Sequence, residues 1–283
     1  MITSLFKHAV LVAALAGTFH KTIAFPLVSN GLENIIVETY YVSNAADSIQ
    51  ADAESTDNGL PTGSLPVGSV TYRIYVDMLP GYKLLAVYAD KTRGNDLKVT
   101  TTTSFYNNPS GSTTSASSKT SIKNKLRALD SWVSLGGVAT GQYGILKSED
   151  NGLLNNVTTA SNTAGVLLNT DTAAGIPLTT QDGMITGTGI QSASFLGFND
   201  ELAVFGDGTV VGNSITVIDG SVFTTDGAIG PDAGNKILIA QVTTNGHLTF
   251  ELNLLLKAPD STTEYYVAKD PKDNRILFPG LNR

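Results

Sequence analysis

Few side chains in this sequence can hold a proton, a metal or a nucleophile in a pattern that suggests chemistry. There is no cysteine, and of three histidines His8 and His20 fall within the first 24 residues, leaving His247. A Ser–His–acid triad would have to use that one imidazole. It follows Asn245-Gly246, a turn signal that places it on an exposed loop. No G-x-S-x-G elbow is present, and no His or Cys spacing fits a metal site. Gly187-Thr188-Gly189 lacks the lysine and the strand–helix setting of a phosphate cradle. Paired carboxylates would suffice for a glycosidase, and Glu149, Asp150, Asp200 and Glu201 are the available acids. They lie in turn-like contexts where adjacent acids are ordinarily solvated. The residue types therefore predict a protein that is not an enzyme.

Binding remains. Trp132, the one tryptophan, would stack on the apolar face of a sugar if exposed. Its neighbours Leu129, Val133 and Leu135 favour a core position instead. Asp47, Asp52, Glu54 and Asp57, and the later Asp-Gly and Asn-Asp turns, could offer oxygens to a structural calcium. Their spacing does not match a calcium loop, and Asp and Asn are ordinary turn residues, so no cofactor is expected. Lys119, Lys123, Lys125 and Arg127 form a local basic cluster that reads as a solvated face.

These residues are carried by strands. Val70 to Met78 alternates strictly, with Val70, Tyr72, Ile74, Val76 and Met78 on one face and Thr71, Arg73, Tyr75 and Asp77 on the other, the period of a strand. Pro80-Gly81 follows as a turn. Lys83 to Tyr88 is more uniformly apolar, as in a strand buried on both faces. This predicts a β-hairpin. A second hairpin is predicted where Asn245-Gly246 joins KILIAQVTT to HLTFELNLLL. Glu33 to Val42 is apolar on both faces, with Ile35, Val37, Thr39 and Tyr41 alternating against Asn34, Ile36, Glu38 and Tyr40. Residues 43–66 read as a long polar loop, 107–121 as a flexible linker, 122–129 as weakly helical, and Glu201 to Phe205 as a strand. Strands recur at short intervals thereafter, and Ile276 to Pro279 is a candidate edge strand. The fold class is all-β, an antiparallel β-sandwich of jelly-roll or immunoglobulin-like type, in one large or two consecutive units.

Charged residues are 15% of the chain, below the usual quarter. Residues 1–24 read as a secretory signal: Lys7 and His8 precede the apolar run Ala9 to Phe19, with cleavage after Ala24. That run is too short to span a bilayer. Removing it deletes Lys7 and Lys21 and no acid, so the net charge of −7 becomes more negative by two. An acidic, sparsely charged, cysteine-free chain excludes nucleic acid and anionic membranes as partners. It fits the exterior of a bacterial cell, where the sequon Asn156-Val157-Thr158 carries no meaning. Residues 25–148 and 149–283 form two candidate halves, which could share one domain.

Six blocks together resemble an uncharacterised domain of secreted and cell-surface proteins of Bacteroidota: GLENIIVETYYVSNAADS (31–48), LPVGSVTYRIYVDMLPGYKLLAVYAD (65–90), LDSWVSLGG (129–137), YGILKSED (143–150), PLTTQDGM (177–184) and KILIAQVTTNGHLTFELNL (236–254). Such proteins often carry a sorting domain after this region, and this chain ends soon after Phe278-Pro279-Gly280. The resemblance implies a secreted surface protein and brings no site residues. The expected function is structural: self-association, into a fibre or matrix, by donation of the strand containing Glu33, Ile35, Val37, Thr39 and Tyr41 to a neighbour. The alternative is a module that binds glycan through Trp132.

Overall fold

The computed structural model describes residues 31–115, 126–150, 182–187, 193–198 and 200–283. The expected signal segment within residues 1–30, residues 116–125 with three of the four basic cluster positions, the 151–181 stretch with its sequon, and Thr188-Gly189 lie outside the described residues.

The fold is all-β and sandwich-like, as expected. One layer is a sheet of four strands in the order β1 (Leu32–Val42), β2 (Val70–Met78), β12 (Lys236–Thr244), β5 (Trp132–Val133), all antiparallel. Across the core lie two further sheets, of three and six strands, linked by three runs of chain. β3 (Lys83–Ala89) runs on into β4 (Leu97–Thr101), β10 (Ser214–Val217) into β11 (Gly220–Ala228), and β13 (Leu248–Glu251) into β14 (Asn253–Lys257). β4 lies between β10 and β13, and β3 lies between β11 and β14. β9 (Ser194–Leu196) extends one side, while β15 (Thr263–Val267) and β16 (Ile276–Leu277) extend the other. A small sheet of β6 (Gly137–Ala139), β7 (Gln142–Gly144) and β8 (Met184–Thr186) completes the strands. Strands from either side of residue 149 pair throughout, and Gly31–Arg283 forms one compact unit.

Burial explains the layering. Ile74, Val76 and Met78 of β2 and Ile237, Ile239 and Val242 of β12 join Leu84, Val87, Leu97, Val99, Leu254 and Leu256 in the main core. The opposite face of the four-stranded sheet is also covered: Tyr75 and Leu238 pack with Trp132, Val138 and Met184. With both faces covered, β12 is buried along nearly its whole length.

The two predicted hairpins are not hairpins. β2 already has β1 and β12 on its two edges, so the chain cannot fold back beside it. The turn after Met78, with Gly81 at φ +84°, instead carries β3 into the facing sheet. The Asn245-Gly246 turn does the same between β12 and β13. Neither residue has the positive φ of a primed hairpin turn. Among the described residues, antiparallel strands joined by a short turn pair at β6–β7 and at β14–β15.

Four local readings are also revised. Residues 45–57 of the expected loop form helix α1 (Ala45–Asp57). Asn44 Oδ1 accepts from the amides of Ala46 and Asp47, while the Asp47 carboxylate accepts from the Asn44 amide, a reciprocal cap. Glu201–Phe205 is a 3-10 helix, and Arg127–Leu129 is a single 3-10 turn. Residues 107–115 are ordered rather than linker-like: Asn108 is buried, and its amide N–H donates to Asp130.

Candidate functional site: the outer edge of the first strand

β1 pairs with β2 from Leu32 opposite Met78 to Val42 opposite Val70. Among the described residues no strand lies on its other side between Glu33 and Thr39. The Ile35 amide donates to the Asn34 side chain (2.8 Å) instead of to a strand, so it points outward. Backbone direction alternates along a strand, so Val37 and Thr39 also present their N–H and C=O groups to the open side. Ile35, Ile36, Val37 and Glu38 are half-buried there, and Glu33, Asn34 and Thr39 are exposed.

Everything else about β1 is anchored. At its start, the Gly31 amide donates to Glu264 Oε2 (3.1 Å) and the Leu32 amide to the Tyr266 hydroxyl (3.2 Å). Glu264 also accepts from the Tyr82 hydroxyl (3.1 Å) and the Tyr266 hydroxyl (2.5 Å). At its end, the Tyr41 hydroxyl donates to Asp47 of α1 (2.9 Å).

The middle is held by a buried polar row. Register places Glu38 opposite Arg73, Arg73 opposite Gln241, and Gln241 opposite Trp132 across four adjacent strands. Neighbouring strands put such residues on one face. Arg73 is fully buried, and its guanidinium lies 3.6 Å from the centre of the Tyr40 ring. Its Nε donates to Gln241 Oε1 (2.9 Å) and its Nη1 to the Gly183 carbonyl (3.0 Å). Lys147 covers the row: its amide donates to Glu38 Oε1 (2.7 Å) and its Nζ to the Tyr40 carbonyl (2.6 Å). The Tyr40 hydroxyl reaches the Asp182 carbonyl (2.8 Å). Burial raises the Glu38 carboxyl against the pull of Arg73 and Lys147. Burial also lowers the Lys147 ammonium, to about 8, against the pull of Glu38. Lys147 as a whole residue is 2% exposed. The arrangement is an anchor that ties β1 to β2 and to the segments around Lys147 and Gly183.

The other expected residues are dispersed. Trp132 is 1% exposed and packs with Tyr75, Val138, Met184 and Leu238, so no ring face is available to a sugar. Glu33, Ile35, Val37, Thr39 and Tyr41 do share one strand, but it is integrated into its own sheet rather than detached. Glu149 pairs with Lys236 (2.8 Å), while its neighbour Asp150 is buried and accepts from the Gly183 amide (3.0 Å). Asp52 accepts from the Gly63 amide, and Glu54 from Gln50 and Asn108. Among the described residues no group of three or more His, Asp or Glu could hold a metal ion. His247 is exposed, as its turn suggested. No described helix is long and apolar enough to cross a membrane.

The sequence reading missed the Glu38–Arg73–Lys147 anchor. Its signal was an arginine flanked by Tyr72 and Ile74 in a strand with apolar groups on both faces, a position where a charge demands a buried partner.

No protein family, no curated protein and no solved structure matches this chain.

Proposed function

We propose that the protein is a secreted, non-catalytic structural module that associates with a second copy of itself by pairing the outer edges of β1. The observation that carries this reading is the open edge from Glu33 to Thr39, with its outward Ile35 amide, on a strand otherwise fixed on both faces. An exposed row of backbone donors and acceptors is a template for another strand. An antiparallel pair of β1 strands centred on Ile36 sets Ile35 against Val37, Asn34 against Glu38 and Glu33 against Thr39. Apolar faces apolar, polar faces polar, and no two carboxylates are opposed. Pairing of this kind adds a strand to each sheet and removes none, unlike strand donation. A twofold pair closes on itself, so a fibre needs a further edge, such as β10 on the other layer.

Size-exclusion chromatography with light scattering on the full chain tests this. The expected result is a dimer that dissociates on dilution. Thr39→Glu places carboxylates opposite Glu33 at both ends of the pair. At about 0.2–1 kcal/mol for each of the two opposed positions, dimer affinity falls by about two- to thirtyfold while the exposed side chain leaves the monomer folded. Val37→Pro removes an outward donor and should give monomers; proline is tolerated where a strand's N–H faces solvent. A wild-type protein that stays monomeric at high micromolar concentration refutes edge pairing.

A further inference from the structure

Two lysines stand side by side on the outer face of the six-stranded sheet. The pairing of β14 with β3 sets Lys257 directly opposite Lys83, and the adjoining Leu256 and Leu84 are fully buried in the core. Residues directly opposite each other on paired strands share a face, with Cβ atoms about 5 Å apart, and like charges placed so repel. The rest of the row offers no relief. Lys257 has Thr263 on its other side. Lys83 has Gly227, where any side chain would begin 2.7 Å from the lysine Cβ. Among the described residues neither ammonium forms an ion pair, whereas Lys98, Lys236 and Lys269 each meet an acid.

The two lysines line a groove of about 210 Å³ between the turn before β3 and the turn after β14. Gly81, Ala258, Pro259 and Ser261 complete its walls, and no acidic side chain lines it. Lys83 is exposed and Lys257 half-buried, so an ion in solution can reach both. The turn after β14 is held in place. The Ser261 amide donates to the Ala258 carbonyl (2.9 Å), and the Ala258 amide to the Thr262 carbonyl (2.8 Å). Asp260, the acid of this turn, accepts from the amide and hydroxyl of Thr262 (2.9 and 2.6 Å). These bonds hold Ser261 at φ +72°, a conformation uncommon outside glycine.

We infer that this groove binds a divalent oxyanion, sulfate or phosphate, free or at the end of a larger ligand. In a chain of net charge −7, two opposed cations without an acid are a local excess that such an anion neutralises. Lysine heads are point charges with three donors on flexible stems, so both can turn onto one group. The bonds they make to it are charge-assisted, and the Ser261 hydroxyl on the groove wall can add another. A monovalent anion leaves one of the two charges unmatched. None of these residues belongs to β1, so neither this site nor edge pairing depends on the other.

Amide NMR on the full chain tests it, with sodium sulfate titrated against sodium chloride at matched ionic strength. Sulfate should move the signals of Lys83, Lys257 and Ser261 saturably, and chloride should not. Lys257→Glu should weaken sulfate binding at least about tenfold, the effect of one lost charge-assisted hydrogen bond. Lys83→Gln, at an exposed position, should weaken it likewise. Unchanged Trp132 emission establishes that both variants are folded. Glucose 6-sulfate separates the two sources. Binding as tight as that of inorganic sulfate assigns the group to a larger ligand, and weaker binding assigns the free ion. The proposal is overturned if chloride moves the same signals equally, if the sulfate shifts do not saturate, or if neither substitution weakens binding.

Discussion

Replacing Arg73 with methionine is the sharpest test of the anchor beneath β1. The substitution keeps much of the side-chain volume and removes the charge. It leaves the Gly183 carbonyl and Gln241 Oε1 without their donors, and it strips the Tyr40 ring of a cation 3.6 Å from its centre. Each orphaned buried acceptor costs about 1–3 kcal/mol, and a desolvated cation–π contact contributes about 2 kcal/mol. Part of this is offset, because the unfolded chain no longer has to desolvate a guanidinium. With two orphaned acceptors and the lost ring contact set against that offset, the net loss is about 3–5 kcal/mol. At about 2–4 °C per kcal/mol for a domain of this size, the melting temperature falls by roughly 6–20 °C. Trp132 reports the transition: it is the sole tryptophan, fully packed, two strands from Arg73 in the same cross-strand row. Urea unfolding followed by its emission measures the loss. Adding Glu38→Gln to Arg73→Met removes the carboxylate left without its guanidinium, so the double variant should be about 1–2 kcal/mol more stable than the sum of the single losses predicts. A single-variant loss below about 1 kcal/mol, or strict additivity, refutes the reasoning.

Two further predictions concern the same frame. Lys147 titrates near 8 in the folded protein and at its ordinary 10.5 in the unfolded chain, so between those pH values the unfolded state holds a proton that the folded state has released, and stability from this site rises with pH. The difference in unfolding free energy between wild type and Lys147→Met should therefore climb from about pH 8 to about pH 10.5, and a flat difference would contradict the burial argument. Gly81→Ala should lower stability by about 1–2 kcal/mol in the same urea assay, because φ is +84° there and a Cβ would also meet Pro259 at 3.2 Å; no loss would mean that the turn relaxes.

Much of the architecture was legible because period and burial are local signals. The alternation in Val70–Met78 and the uniform apolarity of KILIAQVTT identified β2 and β12, and the apolar character of both faces of Glu33–Val42 anticipated a covered β1. Partner choice was not legible. Pro80-Gly81 and Asn245-Gly246 specify that the chain reverses, but a reversal can return beside the same strand or cross to the facing sheet. Here β1 and β12 occupy both edges of β2, and those neighbours come from residues 28 or more positions away. Helix α1 was missed for a different reason: it has no apolar stripe. Its buried positions include Asp47 and Glu54, satisfied by Tyr41 and Asn108. The readable cue was the cap, Asn44 followed three residues later by Asp47. The Arg73 row depended on register across four strands, which turns and propensities do not supply.

The anchors decide between two ways in which β1 could join molecules. Donation would require β1 to leave its sheet, exposing Arg73 and Tyr75 from beneath it and breaking the contacts of Gly31, Glu38, Tyr40 and Tyr41 with Glu264, Lys147, Asp182 and Asp47. Buried charges and orphaned donors make that state expensive, since each such loss is on the order of 1–3 kcal/mol and folded proteins are stable by only about 5–15 kcal/mol. Addition at the edge breaks one local contact, the Asn34 side chain on the Ile35 amide (2.8 Å). The same anchors that hold the strand in place hold its outward backbone groups in line, so a second strand meets a preformed edge and association does not have to order it. Asn34 is then the group an incoming strand must displace. This polar side chain blunts an edge that would otherwise pair indiscriminately.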